Sequence, residues 1–300
     1  MRFQMTHNSK LAVWAVIPAM AFLAMQAGAH TLFFKPSTFF VSQGQEVVIP
    51  LLNGTFETSA NRIQTNRMDD VTIVAPGGDA LDVDSSQWSY KNKTSNLTAT
   101  FDLAGNYVIG VTTRPSIIRI AAEDFNFYLR YEGLDDDAED RNERGETNIG
   151  AAERYAKFSK AIIQVGEGQS GNFDALLDHQ VEIVPLQNPY ELGKGDVFRA
   201  RVLKDGQPLA NELVYATHEG HYELSDEEIF DELVRVRSDE NGEVEFVLAE
   251  AGRWYVRFIH LTRTGDKEHW YSGLLVSLGA DEPRIPYESL WATLTFEVAQ

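Results

Sequence analysis

Short runs of β-branched and aromatic residues, separated by turn residues, recur along most of this chain. In the first half they include residues 46–52, 71–74 and 107–111, and the turn Pro76-Gly77-Gly78 follows the second of these. β-Branched and aromatic residues are typical of strands, whereas Gly, Pro, Asn and Asp are typical of the turns that join them. Strands at this spacing form sandwiches, so the pattern predicts an all-β chain.

The second half repeats the pattern, with predicted strands at residues 198–203, 213–216, 234–237, 243–248, 254–259 and 291–298. Asn241-Gly242 lies between two of these runs, and Asn-Gly is a strong two-residue hairpin signal. We therefore predict a hairpin from residues 234–237 and 243–248. A helical turn is predicted near residues 226–233, and the glycine-rich stretch 166–171 predicts the joint between two domains.

One segment, residues 123–160, departs from the strand pattern. Residues 123–132 predict a short helix with Phe125, Tyr128 and Leu129 on one face. The acidic run 135–140 then predicts a solvated loop that extends to about Gly150. The fold class predicted is all-β, with two β-sandwich domains of immunoglobulin-like or transthyretin-like type. The predicted boundaries are 30–172, with the acidic loop as an insertion, and 173–300.

The first 29 residues have the pattern of a secretory signal peptide. Arg2 and Lys10 form a basic region, residues 11–25 are apolar, and Ala27-Gly28-Ala29 supplies a small-x-small cleavage site. Cleavage there would leave His30 as the first residue. We expect an exported, periplasmic protein with no direct membrane insertion after cleavage.

Composition restricts the partners and the metals that such a protein can bind. The chain has a formal net charge of −19 and no cysteine. The negative charge disfavours nucleic acid and attracts cations, although solubility alone also accounts for an acidic composition. Met68 is the one methionine outside the signal, so soft sulfur ligands for Cu(I) are scarce. Nitrogen and oxygen ligands favour Ni(II) or Co(II), with Cu(II) or Zn(II) as alternatives.

Histidines are the candidate metal ligands. An N-terminal His30 carries a free amine next to its imidazole, and two nitrogens can then chelate one ion once the amine loses its proton. The other candidates are His218, His221, His260 and His269, at the ends of predicted strands or in adjacent loops. Loops at one end of a sandwich cluster, so these residues would converge if their loops share an end. For each, the alternative is an ordinary hydrogen-bonded imidazole on the surface or in the core.

Catalytic motifs are weak in this sequence, and we expect no enzyme activity. Gly-x-Ser-x-Gly and His-Glu-x-x-His do not occur, and no cysteine is present to act as a nucleophile. His218-Glu219-Gly220-His221 is one residue short of the second motif.

Longer stretches carry a family resemblance. The second half contains DGQPLANELVYA (205–216) and SDENGEVEFVLAEAGRWYVRFIH (238–260), and it resembles transthyretin-like or carboxypeptidase-regulatory-like sandwiches. The chain after the signal resembles exported two-domain proteins described as periplasmic components of cobalt/nickel uptake systems. That resemblance rests on AHTLFFKPSTFFVSQGQEV (29–47), AERYAKFSKAIIQVG (152–166), VEIVPLQNPYELGKGD (181–196) and YESLWATLTFEV (287–298).

The resemblance implies that the protein captures a metal ion and delivers it to a membrane uptake system. One departure concerns a possible ligand: many members have a Gly-His-Pro-like element where this chain has Asn53-Gly54-Thr55.

The function expected is an exported, non-catalytic Ni/Co-binding protein with His30 as chelating ligand. The alternatives are a Cu(II)-binding periplasmic carrier and a metal-free cell-envelope interaction module. The last would present an exposed aromatic patch around Trp88, Trp270 or Trp291.

Overall fold

The computed structural model describes residues 30–167, 172–220, 233–264 and 284–299. Within these ranges the chain consists mostly of β-strands, joined by turns, three single turns of 3-10 helix and two short α-helices. The predicted all-β fold class is confirmed. The predicted signal peptide (1–29) and the predicted turn at 226–233 lie outside the described residues.

The described strands differ in length, and the longest of them belong to the central sheet. In chain order they are β1 (Thr31–Phe34), β2 (Phe40–Val41), β3 (Gln45–Gly54), β4 (Met68–Val74), β5 (Ala80–Leu81), β6 (Trp88–Lys91), β7 (Thr94–Phe101), β8 (Gly105–Thr113), β9 (Ser116–Ile120), β10 (Gly150–Val165), β11 (Val181–Pro185), β12 (Val197–Lys204), β13 (Gln207–Pro208), β14 (Leu213–His218), β15 (Val234–Arg237), β16 (Glu243–Val247), β17 (Gly252–Arg263) and β18 (Arg284–Val298).

Among the described residues these strands form three sheets. The central sheet has the order β15-β14-β17-β18-β10-β8-β4-β5, and β2 and β9 also pair with β10. The first flanking sheet has the order β1-β3-β7-β6. In the second flanking sheet, β12 pairs with β11, β13 and β16.

The central sheet joins the two halves of the chain. β10 and β18 run parallel, from Gly150 opposite Arg284 to Ala161 opposite Thr295. Parallel strands need a long crossover connection, and the second half of the chain supplies it. The sheet therefore contains strands from both sides of the predicted domain boundary at 172/173. That boundary stays a prediction.

The two flanking sheets cover opposite faces of the central sheet. Successive residues of a strand point to opposite faces. Val108 and Ile162 pack in a core with the second flanking sheet, whereas their neighbours Ile109 and Ile163 pack in a core with the first. Strands β8 and β10 are thus buried on both faces at these positions, which explains why consecutive residues are apolar there instead of alternating.

Two helices lie beside the first flanking sheet. Helix α1 (Ala122–Tyr131) confirms the predicted helix, and Phe125 and Leu129 on it are fully buried. They form a core with Ile259 of β17 and Trp291 of β18. This core belongs to the face of the central sheet that the first flanking sheet also covers, so the helices and that sheet share one layer.

The predicted acidic loop is wrong, because residues Asp135–Glu143 form a second helix, α2. Three aspartates occupy its first turn, where negative charge is favoured by the positive end of the helix dipole. Arg141 is fully buried: its Nε donates to Asn126 Oδ1 at 2.6 Å, and Nη2 donates to the carbonyl of Ile149. Tertiary contacts of one arginine thus stabilise a helix that its own composition does not predict.

The predicted hairpin of residues 234–237 and 243–248 is also wrong. The turn forms, since Gly242 N donates to Asp239 O at 3.0 Å. However, β15 pairs with β14 in the central sheet, while β16 pairs with β12 in the second flanking sheet. The turn therefore connects two sheets instead of two paired strands.

The helices of the described ranges are too short or too polar to cross a lipid bilayer.

Candidate functional site

The first strand is held against the central sheet by side-chain hydroxyls. Thr293 Oγ1 donates to Leu32 O at 2.7 Å and Thr295 Oγ1 donates to Phe34 O at 2.7 Å. β1 is an edge strand, and an unpaired edge leaves backbone groups without partners. These two hydroxyls pair with two of the backbone carbonyl groups of β1, so the strand is held in place from its first residues onward.

The residue before β1 is held by a buried lysine. Lys157 Nζ donates to the main-chain carbonyl of His30 and to Asn53 Oδ1, the latter at 2.8 Å. Lys157 is only 5% exposed. Asn53 in turn donates through Nδ2 to Asn61 Oδ1. His30 thus begins the described chain at a fixed place, next to a buried cation.

Burial changes the charge balance beneath His30. It lowers the pKa of the Lys157 ammonium to about 7, with Arg67 adding to the shift and Glu153 opposing it. Burial likewise raises the pKa of Glu153 to about 7, although a hydrogen bond from Ser289 and the charge of Lys157 oppose this. Both groups therefore change charge near neutral pH, and because they interact they titrate as a pair.

A cavity opens beside these groups. It has a volume of about 290 Å³ and is called the Lys157 pocket here. The residues that line it come from the end of β3, the segment between β3 and β4, β8 and β10: Asn53, Asn61, Arg62, Ile63, Gln64, Arg67, Thr113, Tyr155 and Lys157. Its charged lining is cationic.

His260 lies on the other face of the central sheet. It follows Ile259 on β17, whose side chain packs under the helices with Trp291. By strand alternation His260 points to the opposite face, as Phe258 does in the core with the second flanking sheet. There its Nδ1 lies 2.7 Å from Glu212 Oε2. Glu212 and His260 both act electrostatically on Asp137 of α2, so this pair lies near the start of that helix.

His218 lies at the far end of the same pair of strands. It is opposite Trp254, whereas His260 lies six residues further along β17. At about 3.3 Å per residue the two histidines are about 20 Å apart along the sheet. The ring of His218 packs at a tilt against Trp254, with ring centroids 5.3 Å apart and an interplanar angle of 56°. The condition under which His218 and His260 would converge, that their loops share an end, is not met, because β14 and β17 place them at opposite ends.

The remaining predicted ligands, His221 and His269, lie outside the described residues. Within the described ranges, no three His, Cys, Asp or Glu side chains are grouped so as to hold a metal ion. Among the described candidates, His30 is the one that would carry a chelating pair of its own, its amine and imidazole, if the predicted cleavage exposes the amine.

Gly54, at the position where this chain departs from the family it resembles, has no room for a side chain. Gly54 lies opposite Thr31, the residue that follows His30. A Cβ atom at position 54 would collide with Thr58 O and lie 2.9 Å from the backbone nitrogen of Ala60. A histidine at this position is incompatible with the backbone conformation seen here, so a ligand of that kind is not available beside His30.

No sequence motif singles out His179, which the structure buries. It is 5% exposed, and it packs against Phe158 with ring centroids 5.7 Å apart. Its Nε2 has no hydrogen-bond partner in the described part of the protein. Burial, with a contribution from Lys160, lowers the pKa of His179 to about 3. The imidazole is neutral at physiological pH, and its isolated position between a strand and a turn explains why no motif pointed to it.

The tryptophans expected to form the exposed aromatic patch of an interaction module are not all exposed. Trp291 is 2% exposed, so its predicted place in an exposed patch is wrong. The apolar layer under α1 encloses it. Trp88 is half-buried, and Trp270 lies outside the described residues. Phe127 and Tyr131 on α1 are instead exposed and stacked, with ring centroids 5.7 Å apart.

Comparison with known proteins identifies a family but no activity. A family model described as "Domain of unknown function (DUF4198)" matches residues 27–262. A search of curated proteins finds no match.

Solved structures show only distant likeness. One is α-2-macroglobulin from Escherichia coli activated by trypsin, at 11% identity and a TM-score of 0.24, covering 76% of this chain and 14% of that one. A DUF4785 family protein from Legionella pneumophila is similar at 9% identity and a TM-score of 0.22, covering 75% of this chain and 51% of that one. The D0-D1 domain of intimin is similar at 9% identity and a TM-score of 0.20, covering 89% and 97%. This chain spans about one seventh of the macroglobulin and about half of the Legionella protein.

Proposed function

The chain belongs to the DUF4198 family, whose function is unknown, and we propose that it is an exported, non-catalytic carrier of Ni(II) or Co(II). In this proposal the mature protein begins at His30 in the periplasm, binds the ion through His30 and delivers it to a membrane uptake system. The resemblance to periplasmic components of cobalt/nickel uptake systems, including their transthyretin-like second half, supports the same role.

The observation that carries the proposal is the hydrogen bond from Lys157 to the carbonyl of His30. A chain terminus is normally frayed, and ordering it on metal binding costs conformational entropy. Here Lys157 and the hydroxyls of Thr293 and Thr295 hold the first residues of the mature chain before any ion binds. The amine and imidazole of His30 are thus attached to an ordered backbone, which favours chelation.

Nitrogen ligands of this kind suit borderline divalent ions. The chain has no cysteine, so Ni(II), Co(II), Cu(II) and Zn(II) are the ions to compare. Two ligands from His30 leave coordination positions open. Water, a small-molecule ligand, or a side chain outside the described residues such as His221 or His269 would fill them. An incomplete protein shell suits an ion that must be released to a partner.

The experiment is isothermal titration of the four ions into protein that begins at His30. A matched sample carries an acetyl group on the amine of His30, which removes this ligand and leaves every side chain in place. We expect one-to-one binding that the acetyl group weakens strongly. Equal binding in both samples would overturn the role of His30 and move the site to other histidines. Absence of binding in both would overturn the metal proposal as a whole.

A Cu(II) carrier is the second candidate, because Cu(II) binds most nitrogen sites more tightly than Ni(II). The same titration ranks the ions, but affinity alone follows this general order. Metal content and growth phenotype in cells decide between them. Copper sensitivity on deletion, with normal nickel and cobalt accumulation, would favour the copper carrier.

A metal-free envelope interaction module is favoured by one observation, the exposed aromatic pair of Phe127 and Tyr131. Aromatic side chains are enriched at binding surfaces. This candidate predicts protein without bound metal even from metal-replete cells, together with a partner whose binding is lost in Phe127→Ser.

A further inference from the structure

The Lys157 pocket concentrates positive charge in an acidic protein. Arg62, Arg67 and Lys157 line it, and no acidic side chain of the described residues does. The whole chain carries a formal net charge of −19. In a chain with this excess of acidic residues, a cluster of cations without carboxylates is not expected by chance.

The arginine at the centre of the cluster is not neutralised by the protein. Within the described part of the chain, the guanidinium of Arg67 makes no hydrogen bond or ion pair, and it is half-buried. The acidic residue closest to it in sequence, Asp69, instead forms an exposed ion pair with Arg114 at 3.4 Å. Arg67 also lies near enough to Lys157 to disfavour its positive charge. Two neighbouring cations repel each other unless an anion lies between them.

The other cations are held in place. Lys157 is fixed by its bonds to Asn53 and to the carbonyl of His30, and it is nearly fully buried. Arg62 lies over the ring of Tyr90, 5.1 Å from the centroid. An arrangement of ordered cations binds an anion with less loss of side-chain entropy than three mobile chains would.

Neutral donors complete the lining. The hydroxyl of Thr113 accepts from Lys157 N at 2.9 Å, which leaves its own proton free to donate. The phenol of Tyr155 and the amide of Asn61 also line the pocket. Guanidinium, ammonium, hydroxyl and amide groups are together the donors that carboxylates and phosphates prefer.

We infer that the Lys157 pocket is a binding site for a small oxyanion, a molecule that carries a carboxylate or a phosphate group. Arg67 would hold two of its oxygens through the guanidinium fork, with Arg62 at the mouth and Lys157 at the base. A volume of about 290 Å³ admits only a small molecule. The site goes beyond metal capture and does not depend on it, since none of these donors is a proposed metal ligand.

The test is isothermal titration of metal-free protein that begins at His30, with chelator removed beforehand. Citrate, succinate, inorganic phosphate and sulfate are titrated separately at constant ionic strength in chloride. We expect at least one of them to bind with a Kd of about 1 mM or below. Carboxylates alone, or phosphate and sulfate alone, would identify the class of oxyanion.

Two substitutions with equal change in net charge provide the control. Arg67→Gln removes the unpaired guanidinium and is expected to weaken binding about tenfold or more, because hydrogen bonds to charged groups are strong. Arg114→Gln removes an exposed arginine outside the pocket and should leave the affinity unchanged. Arg62→Gln, at an exposed position, serves as a second pocket variant if Arg67→Gln does not fold.

Two outcomes would overturn the inference. One is absence of binding for all four anions up to about 10 mM, well above typical affinities of built sites. The other is an equal loss of binding in Arg67→Gln and Arg114→Gln, which would show general charge attraction instead of a site. Because metal is absent throughout, neither outcome bears on the proposed metal chelate at His30.

Discussion

Lys157 Nζ donates a hydrogen bond to the main-chain carbonyl of His30, a residue 127 positions earlier in the chain. The bond connects β10, which pairs with strands from both halves of the chain, to the residue that immediately precedes β1. A buried lysine stabilises a structure only where its ammonium donors are paired, and here Lys157 donates to two oxygen acceptors, His30 O and Asn53 Oδ1. The interaction therefore couples the placement of His30 to the central sheet.

We expect Lys157→Met to loosen the start of β1. The substitution keeps an unbranched side chain of similar length, but it leaves His30 O and Asn53 Oδ1 without a donor. An unpaired buried acceptor costs about 1–3 kcal/mol. Hydrogen exchange of the Leu32 and Phe34 amides should become faster. Lys194→Met removes an exposed lysine paired with Glu250 and serves as the control. Unchanged exchange of β1 in Lys157→Met would show that the hydroxyls of the central sheet hold the strand alone.

His179 predicts a loss of stability in mild acid. Its pKa is about 3 in the folded protein, below the value of 6.5 for an exposed histidine, so the unfolded state binds the proton more tightly. The stabilisation is complete above pH 6.5 and falls as pH decreases towards 3. Between pH 7 and pH 5 the loss from this group is about 2 kcal/mol.

The measurement is the free energy of unfolding by urea at pH 7 and pH 5, in the wild type and in His179→Gln. The variant does not titrate at this position, so its stability should change less over this interval by about 2 kcal/mol. An identical pH dependence in His179→Gln would contradict the prediction.

Asp137 predicts a stabilising substitution. Burial raises its pKa to about 6, and the charges of Glu212, Asp136 and Asp140 add to the shift. Because the folded pKa exceeds the unfolded value of 3.8, the folded state binds the proton more tightly, and stability decreases as pH rises through 6. Asp137→Asn removes this cost and should raise the Tm by a few degrees at pH 7.5.

The gain from Asp137→Asn should disappear below about pH 4, where the aspartate is protonated in both states. A gain of equal size at pH 4 and pH 7.5 would mean that the effect is not electrostatic.

Gly54→Ala is expected to destabilise the protein by about 1–3 kcal/mol, because the added Cβ overlaps backbone atoms of Thr58 and Ala60 that cannot move as a side-chain end can. Thermal unfolding measures the effect. Gly77→Ala is the matched control, since its Cβ would meet only Asp79 Oδ2 at 3.8 Å. Equal Tm values for the two variants would show that the loop after β3 adjusts without cost.

The local elements were predicted well wherever one segment contained the whole signal. The spacing of Phe125, Tyr128 and Leu129 placed α1 correctly, since an apolar stripe at helical period needs no information beyond the segment. Val234–Arg237 was predicted with the observed bounds for the same reason. Alternation and turn residues are local properties, and they determine whether a segment is a strand.

The candidate site was predicted only in part. His30 was found from the cleavage pattern, but its anchor, Lys157, carries no motif that relates it to a residue 127 positions away. His218 and His260 were expected to converge because both end predicted strands. Which ends meet depends on the register of β14 with β17, and a register is a property of two strands and not of either sequence alone.

The sequence by itself thus determined the class of fold, most strands, helix α1 and the composition that favours nitrogen and oxygen ligands. Tertiary structure decided what those segments contact. Helix α2 forms because Arg141 is buried against Asn126 and Ile149. Residues 234–237 and 243–247 belong to different sheets because the first segment pairs with β14 and the second with β12. Secondary structure follows from short-range periodicity, whereas pairing, burial and the unneutralised charge of Arg67 depend on segments far apart in the chain that meet only after folding.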